Sequence, residues 1–169
     1  AGILAHARAL TAVCNPTVNS YKRLISGFEA PAHITWFCRN WSPLIRIPSG
    51  RGQGARLEFR SPDPSSNPYL ALACCLAAGL DGIKKRMTPP PATDRDLHDL
   101  PEEEIRKMGV ETLPLSLAEA TEALENDPVV SGALGELALR NFLLDKKREW
   151  DRYRRAVTDW EIDNYLQKY

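Results

Sequence analysis

Residues 55–60 read ARLEFR, and the alternation of charged and apolar side chains in this stretch predicts a β-strand. Successive side chains on a strand point to opposite faces of the sheet. Leu57 and Phe59 are therefore predicted to point into a core. The opposite face would carry one carboxylate between two guanidinium groups, in a row about 13 Å long. These charged residues are Arg56, Glu58 and Arg60.

Two more strand candidates precede this one, at residues 33–38 and 44–47. Both are rich in β-branched, aromatic or aliphatic residues, which favour strands. The glycine-rich segment SGRGQG at residues 49–54 predicts a hairpin connection to the third strand. Arg46 lies between two isoleucines and repeats the alternation of that third strand. The sequence therefore predicts a short antiparallel sheet of about three strands.

Helical patterns occupy the two ends of the chain. Residues 1–14 predict a helix, residues 15–31 an ordered loop between two prolines, and residues 32–60 the strands. Residues 61–169 predict a mostly helical region, so the expected fold class is α+β in a single piece. The helix candidates of that region lie at residues 66–82, 101–108 and 116–125, from residue 127, and from 133 to 165.

Two of these helices carry conspicuous apolar patterns. The first begins at residues 66–68, where a capping residue is followed by proline. It is apolar on all sides, so we expect a buried core helix.

Near the C-terminus, four large side chains share one helical stripe, which packs either in the domain core or in a subunit interface. They are Trp150, Tyr153, Val157 and Trp160.

Composition is typical of a globular domain, with 169 residues, of which 43% are hydrophobic and 26% charged. The longest uncharged apolar run, residues 69–80, has about two-thirds of the length that a bilayer-spanning helix needs, so no membrane partner is expected.

The four cysteines form no C-x-x-C pair. This pattern favours reduced thiols in a cytoplasmic protein over disulfides or a zinc site.

The net charge is zero, but basic residues concentrate at the start of the chain. Residues 1–60 contain eight Lys or Arg against two acidic residues, and seven of the eight are arginines. The forked guanidinium group suits carboxylates and phosphates. An anionic ligand is one interpretation, and pairing with the acidic remainder of the chain is another. No nucleic-acid partner is expected, because no stacking aromatic residues interleave with a basic groove.

The alternating strand at residues 55–60 admits two interpretations. An exposed ladder of ion pairs would give the same pattern, and such pairs contribute little to stability, about 0–1 kcal/mol each. In the functional interpretation, Glu58 is an oxygen ligand for Mg²⁺ or Mn²⁺. The flanking arginines would then hold anionic oxygens and stabilise the charge that moves during phosphoryl transfer.

Several separated blocks resemble glutamine synthetases, and in particular the C-terminal part of the catalytic domain of the type I bacterial enzymes. The blocks are NPTVNSYKRL at 15–24, GFEAP at 27–31, RSPDPSSNPYLALA at 60–73, AAGLDGI at 77–83 and the C-terminal EWDRYRRAVTDWEIDNYLQKY at 149–169. The resemblance implies ATP-dependent ligation of ammonia to glutamate, with ATP and Mg²⁺ or Mn²⁺ as cofactors. It also implies a homo-oligomer, a dodecamer for the full-length enzyme. In this interpretation residues 15–31 are the substrate loop and flap, and residues 32–60 are the active-site strands.

The resemblance assigns roles to individual residues. Arg23, Glu29 and Arg60 match glutamate-binding positions, and Glu29 also matches the flap carboxylate that takes a proton from ammonium. Arg60 matches a second catalytic position, which contacts the phosphorylated intermediate. The nucleotide positions are matched by Arg46 and Arg56, and Glu58 matches a metal ligand.

Three positions depart from the family pattern. Trp41 stands where the family usually has an arginine, and indole cannot donate two forked hydrogen bonds. Gln53 stands where some relatives have a nucleotide-contacting lysine. His98 replaces the tyrosine that adenylylated relatives carry, so no adenylylation is expected there.

The family's other metal ligands and its neighbouring-subunit domain are expected upstream of Ala1. We therefore expect the chain alone to be inactive. Two alternatives stay open: a ligase of the same family that joins glutamate to another amine, and a non-catalytic assembly or regulatory relative.

Overall fold

Eight helices and a small sheet make up the part of the chain that the computed structural model describes, residues 1–25, 30–39, 42–97, 100–166 and 168, with Glu102 described by its backbone alone. The predicted α+β class is confirmed. The helices are α1 Gly2–Ala5, α2 Ala7–Cys14, α3 Pro68–Lys84, α4 Glu102–Lys107, α5 Leu117–Glu125, α6 Pro128–Leu134, α7 Glu136–Tyr153 and α8 Asp159–Glu161. Two 3₁₀ turns, Val18–Lys22 and Gly52–Gly54, and a π-helical turn, Ile162–Leu166, complete them.

The sheet has the order β1-β2-β3, with β1 at Trp36–Phe37, β2 at Ile45–Arg46 and β3 at Glu58–Phe59. The predicted antiparallel hairpin is present between β2 and β3. The antiparallel prediction is wrong for β1, which pairs with β2 in parallel. A strand of two residues rises less than about 7 Å. The chain therefore has to travel back only that far between the end of β1 and the start of β2, and a short connection is sufficient.

Three helices begin at side chains that bind exposed backbone N–H groups. The Asn67 side chain accepts hydrogen bonds from the first turn of α3, Ser116 does so for α5, and Asp127 does so for α6. Unpaired N–H groups at a helix start need such acceptors. The helix starts read from the sequence at these three positions are therefore confirmed.

The core lies where α2 crosses α5 and α3, with β2 closing one side. Large, fully buried apolar side chains come from α2, the loops, α5 and α6. They are Leu10, Val13, Leu24, Leu44, Leu97, Leu113, Leu117, Leu124 and Val130.

Helix α3 is not the buried core helix that its composition predicted. Only Ala71, Cys74, Ala78 and Gly82 are buried. The opposite stripe of large apolar side chains is exposed, because nothing in the described part of the chain covers it. Its members are Tyr69, Leu72, Leu76, Leu80 and Ile83.

Leu57 is also exposed, at 51%, so the prediction that it points into the core is wrong. Phe59 packs against the core as predicted. Together with the outer face of α3, Leu57 borders an apolar groove of about 790 Å³ between α1, α3 and the sheet. Leu57 therefore lies on the expected side of the strand, on a surface that remains open.

The helix expected over residues 1–14 is divided at His6 into α1 and α2. The His6 ring holds two other helices there: Nδ1 lies 2.7 Å from Asp127 Oδ2, and Nε2 lies 3.0 Å from Asp81 Oδ2. Lys85 Nζ also binds Asp81, at 2.9 Å. This polar cluster joins the start of the chain to α3 and α6.

The C-terminal stripe does not form one continuous helix. Helix α7 ends at Tyr153, so the residues that follow leave its face. Trp150 packs against the core, whereas Val157 is 73% exposed and Trp160 is 61% exposed. Packing of the whole stripe in the core, the first of its two interpretations, is therefore wrong.

Within the described ranges, every helix is too short or too polar to cross a membrane.

Candidate functional site

Strand pairing places a carboxylate between two guanidinium groups at the β2–β3 hairpin. Arg46 and Glu58 are directly opposite in the antiparallel register. Arg46 Nη1 donates to Glu58 Oε2 at 2.8 Å, and Arg56 Nη2 donates to Oε1 at 3.4 Å. The Glu58 side chain is 32% exposed. The carboxylate therefore lies at the surface of the sheet and not in an apolar interior.

This environment stabilises the ionised form of Glu58. The hydrogen bond from Arg46 and the positive charges of Arg46 and Arg56 lower the pKa of the Glu58 carboxyl, against a smaller opposing effect of burial. Arg46 is only 22% exposed, whereas Arg56 is 61% exposed. Arg46 is thus the better-shielded partner, and Arg56 is the one that solvent reaches.

Arg60 follows β3 and is tied to the segment before β2. Its backbone N–H donates to Leu44 O at 3.0 Å, and its Nη1 lies 3.4 Å from the carbonyl oxygen of Pro43. The half-buried Arg60 side chain therefore starts from the same hairpin as Glu58 and Arg46.

Arg23 lies just after the 3₁₀ turn Val18–Lys22, and a buried polar junction holds it. Its Nη2 donates to Asn15 Oδ1 at 3.0 Å and also to the carbonyl oxygen of Ser61. Asn15 Nδ2 in turn donates to Ser61 Oγ at 2.8 Å. Asn15 and Ser61 are both 0% exposed. Sequence reasoning missed these two residues, although both lie inside the family-like blocks.

The glycine-rich connection is exposed and folds around its own arginine. Arg51 Nη1 donates to the carbonyl oxygens of Pro48, Ser49 and Gly50, at 3.1–3.3 Å. Gln53 lies on the 3₁₀ turn Gly52–Gly54 and is exposed. Exposure alone does not test the expected contact of Gln53 with the nucleotide, so that contact stays a prediction.

Three residues singled out from the sequence lie outside the described part of the chain: Glu29, Trp41 and His98. Their expected roles stay predictions.

A divalent cation would find one ligand here and not a whole site. Carboxylate oxygens have about four lone-pair positions, so Glu58 can bind a cation while it accepts from two arginines. Among the described residues, no group of three or more His, Cys, Asp or Glu side chains is arranged to hold a metal ion. Mg²⁺ needs near-octahedral oxygen coordination, so the further ligands must come from elsewhere.

Comparison with known proteins identifies relatives over nearly the whole chain. The glutamine synthetase of Methanocaldococcus jannaschii is 54% identical over 166 residues, which are 98% of this chain and 37% of the relative. The glutamine synthetase of Thermus thermophilus is 52% identical over 169 residues, which are 100% of this chain and 38% of the relative. The chain thus spans less than two-fifths of the length of these curated relatives.

Solved structures agree with the sequence relatives. A structure described as "GmaS/ADP complex-Conformation 1" superposes with a TM-score of 0.86 at 42% identity, covering 98% of this chain and 38% of that one. A second, "Apo GmaS without ligand", superposes with a TM-score of 0.83 at 43% identity, covering 98% of this chain and 36% of that one. The family described as "Glutamine synthetase, catalytic domain" matches residues 1–165. The chain therefore belongs to the glutamine synthetase catalytic-domain family.

Proposed function

We propose that the chain is part of a ligase that joins ammonia to glutamate at the expense of ATP and yields glutamine. The proposal rests on the position of Glu58, which accepts hydrogen bonds from Arg46 and Arg56. Arg60 extends from the same hairpin. Guanidinium groups on both sides of one carboxylate suit a reaction that brings a phosphoryl group and a substrate carboxylate together.

The reaction proceeds in two displacements. A side-chain carboxylate oxygen of glutamate attacks the γ-phosphorus of ATP, and ADP leaves. The ammonia nitrogen then attacks the acyl carbon of the γ-glutamyl phosphate, and phosphate leaves. Arg23 and Arg60 bind the glutamate, Arg46 and Arg56 bind the ATP phosphates, and Glu29 takes the proton that ammonium gives up.

A divalent cation, when bound, neutralises charge on the transferring phosphoryl group. Glu58 is the residue of this chain that would hold it, and the lowered pKa of Glu58 keeps its carboxyl ionised for that purpose.

The function is tested by grafting the chain in place of the matching segment of the Thermus thermophilus relative, with which it shares 52% identity. The chimera is expected to form glutamine from glutamate, ammonium and ATP. Glu58→Gln should lower kcat by about 10²–10³-fold, as the loss of one electrostatic contact in an active site does. The exposed Glu122 supplies a matched control, since Glu122→Gln lies on α5, away from the hairpin. Unchanged turnover in the folded Glu58→Gln chimera would contradict the proposal.

The 169-residue chain alone is expected to be inactive, because Glu58 is its one metal ligand in the proposal. ADP release well above a buffer control, with glutamate and ammonium present, would contradict this expectation.

A second candidate, a ligase of glutamate with another amine, follows from Trp41 in place of the usual arginine. Parallel rates of the chimera with ammonium and with polyamines distinguish the two. A non-catalytic relative is disfavoured, because Arg23, Arg60 and Glu58 are all present.

We also propose that the full protein is a cytoplasmic homo-oligomer. The exposed aromatic pair Trp160 and Tyr165, whose ring centroids lie 5.6 Å apart, supports a contact between subunits near the C-terminus.

A further inference from the structure

The buried junction joins Asn15 and Arg23, which are neighbours in sequence, to Ser61, which lies 46 positions after Asn15 and 38 after Arg23. Asn15 ends α2, Ser61 follows β3, and Arg23 follows the 3₁₀ turn Val18–Lys22. Asn15 uses both ends of its amide: Nδ2 donates to Ser61 Oγ, and Oδ1 accepts from Arg23 Nη2. A reversed amide would point donors at a guanidinium group that has only donors. The junction therefore permits one orientation of Asn15.

Backbone contacts fix this junction to the strand that carries the phosphate-side residues. The N–H of Asp63 donates to Cys14 O at 3.0 Å, immediately before Asn15. On the other side, Ser61 directly follows Arg60 and lies three residues after Glu58. The Asn15 amide is thereby held against the same stretch of backbone that positions the metal-side carboxylate.

The junction binds the Nη2 group of Arg23 but not its Nε. Its Nη2 is bound to Asn15 and to the carbonyl oxygen of Ser61. Its Nε is buried and has no hydrogen-bond partner among the described residues. A buried N–H group without a partner is costly, and a carboxylate ligand is an acceptor that would satisfy it.

We propose that Asn15 and Ser61 are positioning residues, which hold the Arg23 guanidinium at a fixed place relative to Glu58 and Arg60. This inference rests on the proposed function, because Arg23 is its glutamate-binding arginine. The junction would set the separation between the group that binds the amino acid and the groups that bind phosphate. Neither residue needs to contact a substrate for this role.

The first test measures the mobility of the Arg23 guanidinium in the 169-residue chain by nitrogen NMR, through rotation about the Nε–Cζ bond. Arg23 is expected to rotate slowly, and the exposed Arg155 rapidly. Asn15→Leu should release Arg23, because it removes the acceptor while retaining a side chain of similar size. Asn15→Asp should keep Arg23 slow, because it retains the acceptor. Thr11→Val, a substitution of a buried polar residue within α2, should leave Arg23 slow.

Ser61→Ala provides a second variant if Asn15→Leu fails to fold. It removes the Oγ acceptor but keeps the carbonyl oxygen that Arg23 binds, so we expect an intermediate release. Rotation of Arg23 as fast as that of Arg155 in the unmodified chain would overturn the proposal. Unchanged slow rotation in both Asn15→Leu and Ser61→Ala would overturn it as well.

The second test uses the Thermus chimera and separates the two substrates. Asn15→Leu is expected to lower kcat/KM for glutamate on the order of 10²-fold, the effect of a small displacement of a binding group. KM for ATP should change less than about twofold. Asn15→Asp should hold Arg23 in place yet weaken glutamate binding, because the added charge neutralises the guanidinium. Equal losses for both substrates would overturn the positioning role, whereas activity that persists in Glu58→Gln would refute the proposed function alone.

Discussion

At Glu58, two guanidinium groups of unequal exposure bind one carboxylate. Arg46 is mostly shielded, whereas Arg56 is mostly in solvent. An exposed pair is weakened by water and by side-chain entropy. The interaction with Arg46 should therefore dominate in the free protein. Arg56 is then the arginine that can turn toward a phosphate with little loss.

Substitution of these two arginines should affect Glu58 unequally. In Arg46→Met, the pKa of the Glu58 carboxyl is expected to rise, because its shortest hydrogen bond and nearest positive charge are lost. Arg56→Met should raise the pKa less. Carbon NMR of the labelled carboxyl gives both values, with Arg51→Met as the control on the connecting loop. A larger rise in Arg56→Met would contradict the assignment of Arg46 as the main partner.

The sequence predicted that Arg56 lies beside Glu58 on a charged face, but it did not identify Asn15. Alternation is local, so it can be read from six consecutive residues. The contact from Asn15 to Ser61 crosses 46 positions, and no local period reveals it. In the sequence, Asn15 was only the first residue of the predicted loop at 15–31 and of a family-like block. Burial of that asparagine, which makes the junction specific, depends on tertiary packing.

Helices α1 and α3 cross at two glycines with no space for a side chain. A Cβ atom built at Gly82 would lie 2.6 Å from the backbone nitrogen of Gly2, and one at Gly2 would lie 2.0 Å from Ala78 O. Both distances are below any normal contact. The backbones of the two helices therefore touch directly at this point.

Gly82→Ala is expected to destabilise the chain by about 1–3 kcal/mol, the usual cost of overpacking a tight contact. The same helix supplies a matched control, because a Cβ at Gly79 would meet nothing within 4 Å. Gly79→Ala should stabilise by up to about 1 kcal/mol through helix propensity. Urea unfolding monitored by circular dichroism gives both free energies. Equal effects of the two substitutions would refute the close crossing.

Elements with local start signals were predicted well, and the sheet less well. The helix starts at Asn67, Ser116 and Asp127 could be predicted from the sequence, because capping is a contact within one helical turn. The strands are only two residues long, so most of each predicted strand is irregular backbone. The parallel pairing of β1 with β2 depends on the path of the loop between them, and the sequence pattern carries no signal for that path.

Acid stability is a property of the whole molecule, and it should depend on the cluster that joins His6, Asp81 and Asp127. Lys85 and His6 lower the pKa of the Asp81 carboxyl. A carboxyl whose pKa is lower in the folded state stabilises the protein above the unfolded-state pKa, and this stability is lost as the pH falls. The loss is therefore expected below about pH 4.

Asp81→Asn should reduce the loss of stability that occurs as the pH falls below about 4. Thermal unfolding between neutral pH and pH 3 measures the effect, with Asp94→Asn as the control at an exposed aspartate. A loss of stability as large in Asp81→Asn as in the unmodified chain would contradict the role of the cluster.

The open face of α3 should give the whole chain an affinity for apolar dyes. Five large apolar side chains of one helix are exposed beside the groove of about 790 Å³, and such exposed apolar surfaces bind apolar molecules. Composition alone predicted burial of this helix, because an apolar helix is normally covered on all sides.

Leu76→Glu is expected to lower the fluorescence of bound anilinonaphthalene sulfonate several-fold. Leu137→Glu, at a similarly exposed leucine of α7, should change it little. Equal fluorescence in the two variants would show that the dye binds elsewhere.

The distribution of the four thiols makes the chain convenient for chemical labelling. Cys38 is exposed directly after β1, Cys14 and Cys74 are buried, and Cys75 is half-buried. A maleimide fluorophore added in substoichiometric amounts should therefore attach first at Cys38 without any engineered cysteine. Because β1 pairs with the strand that carries Arg46, such a dye would sit beside the hairpin and could report ligand arrival by a change in its emission.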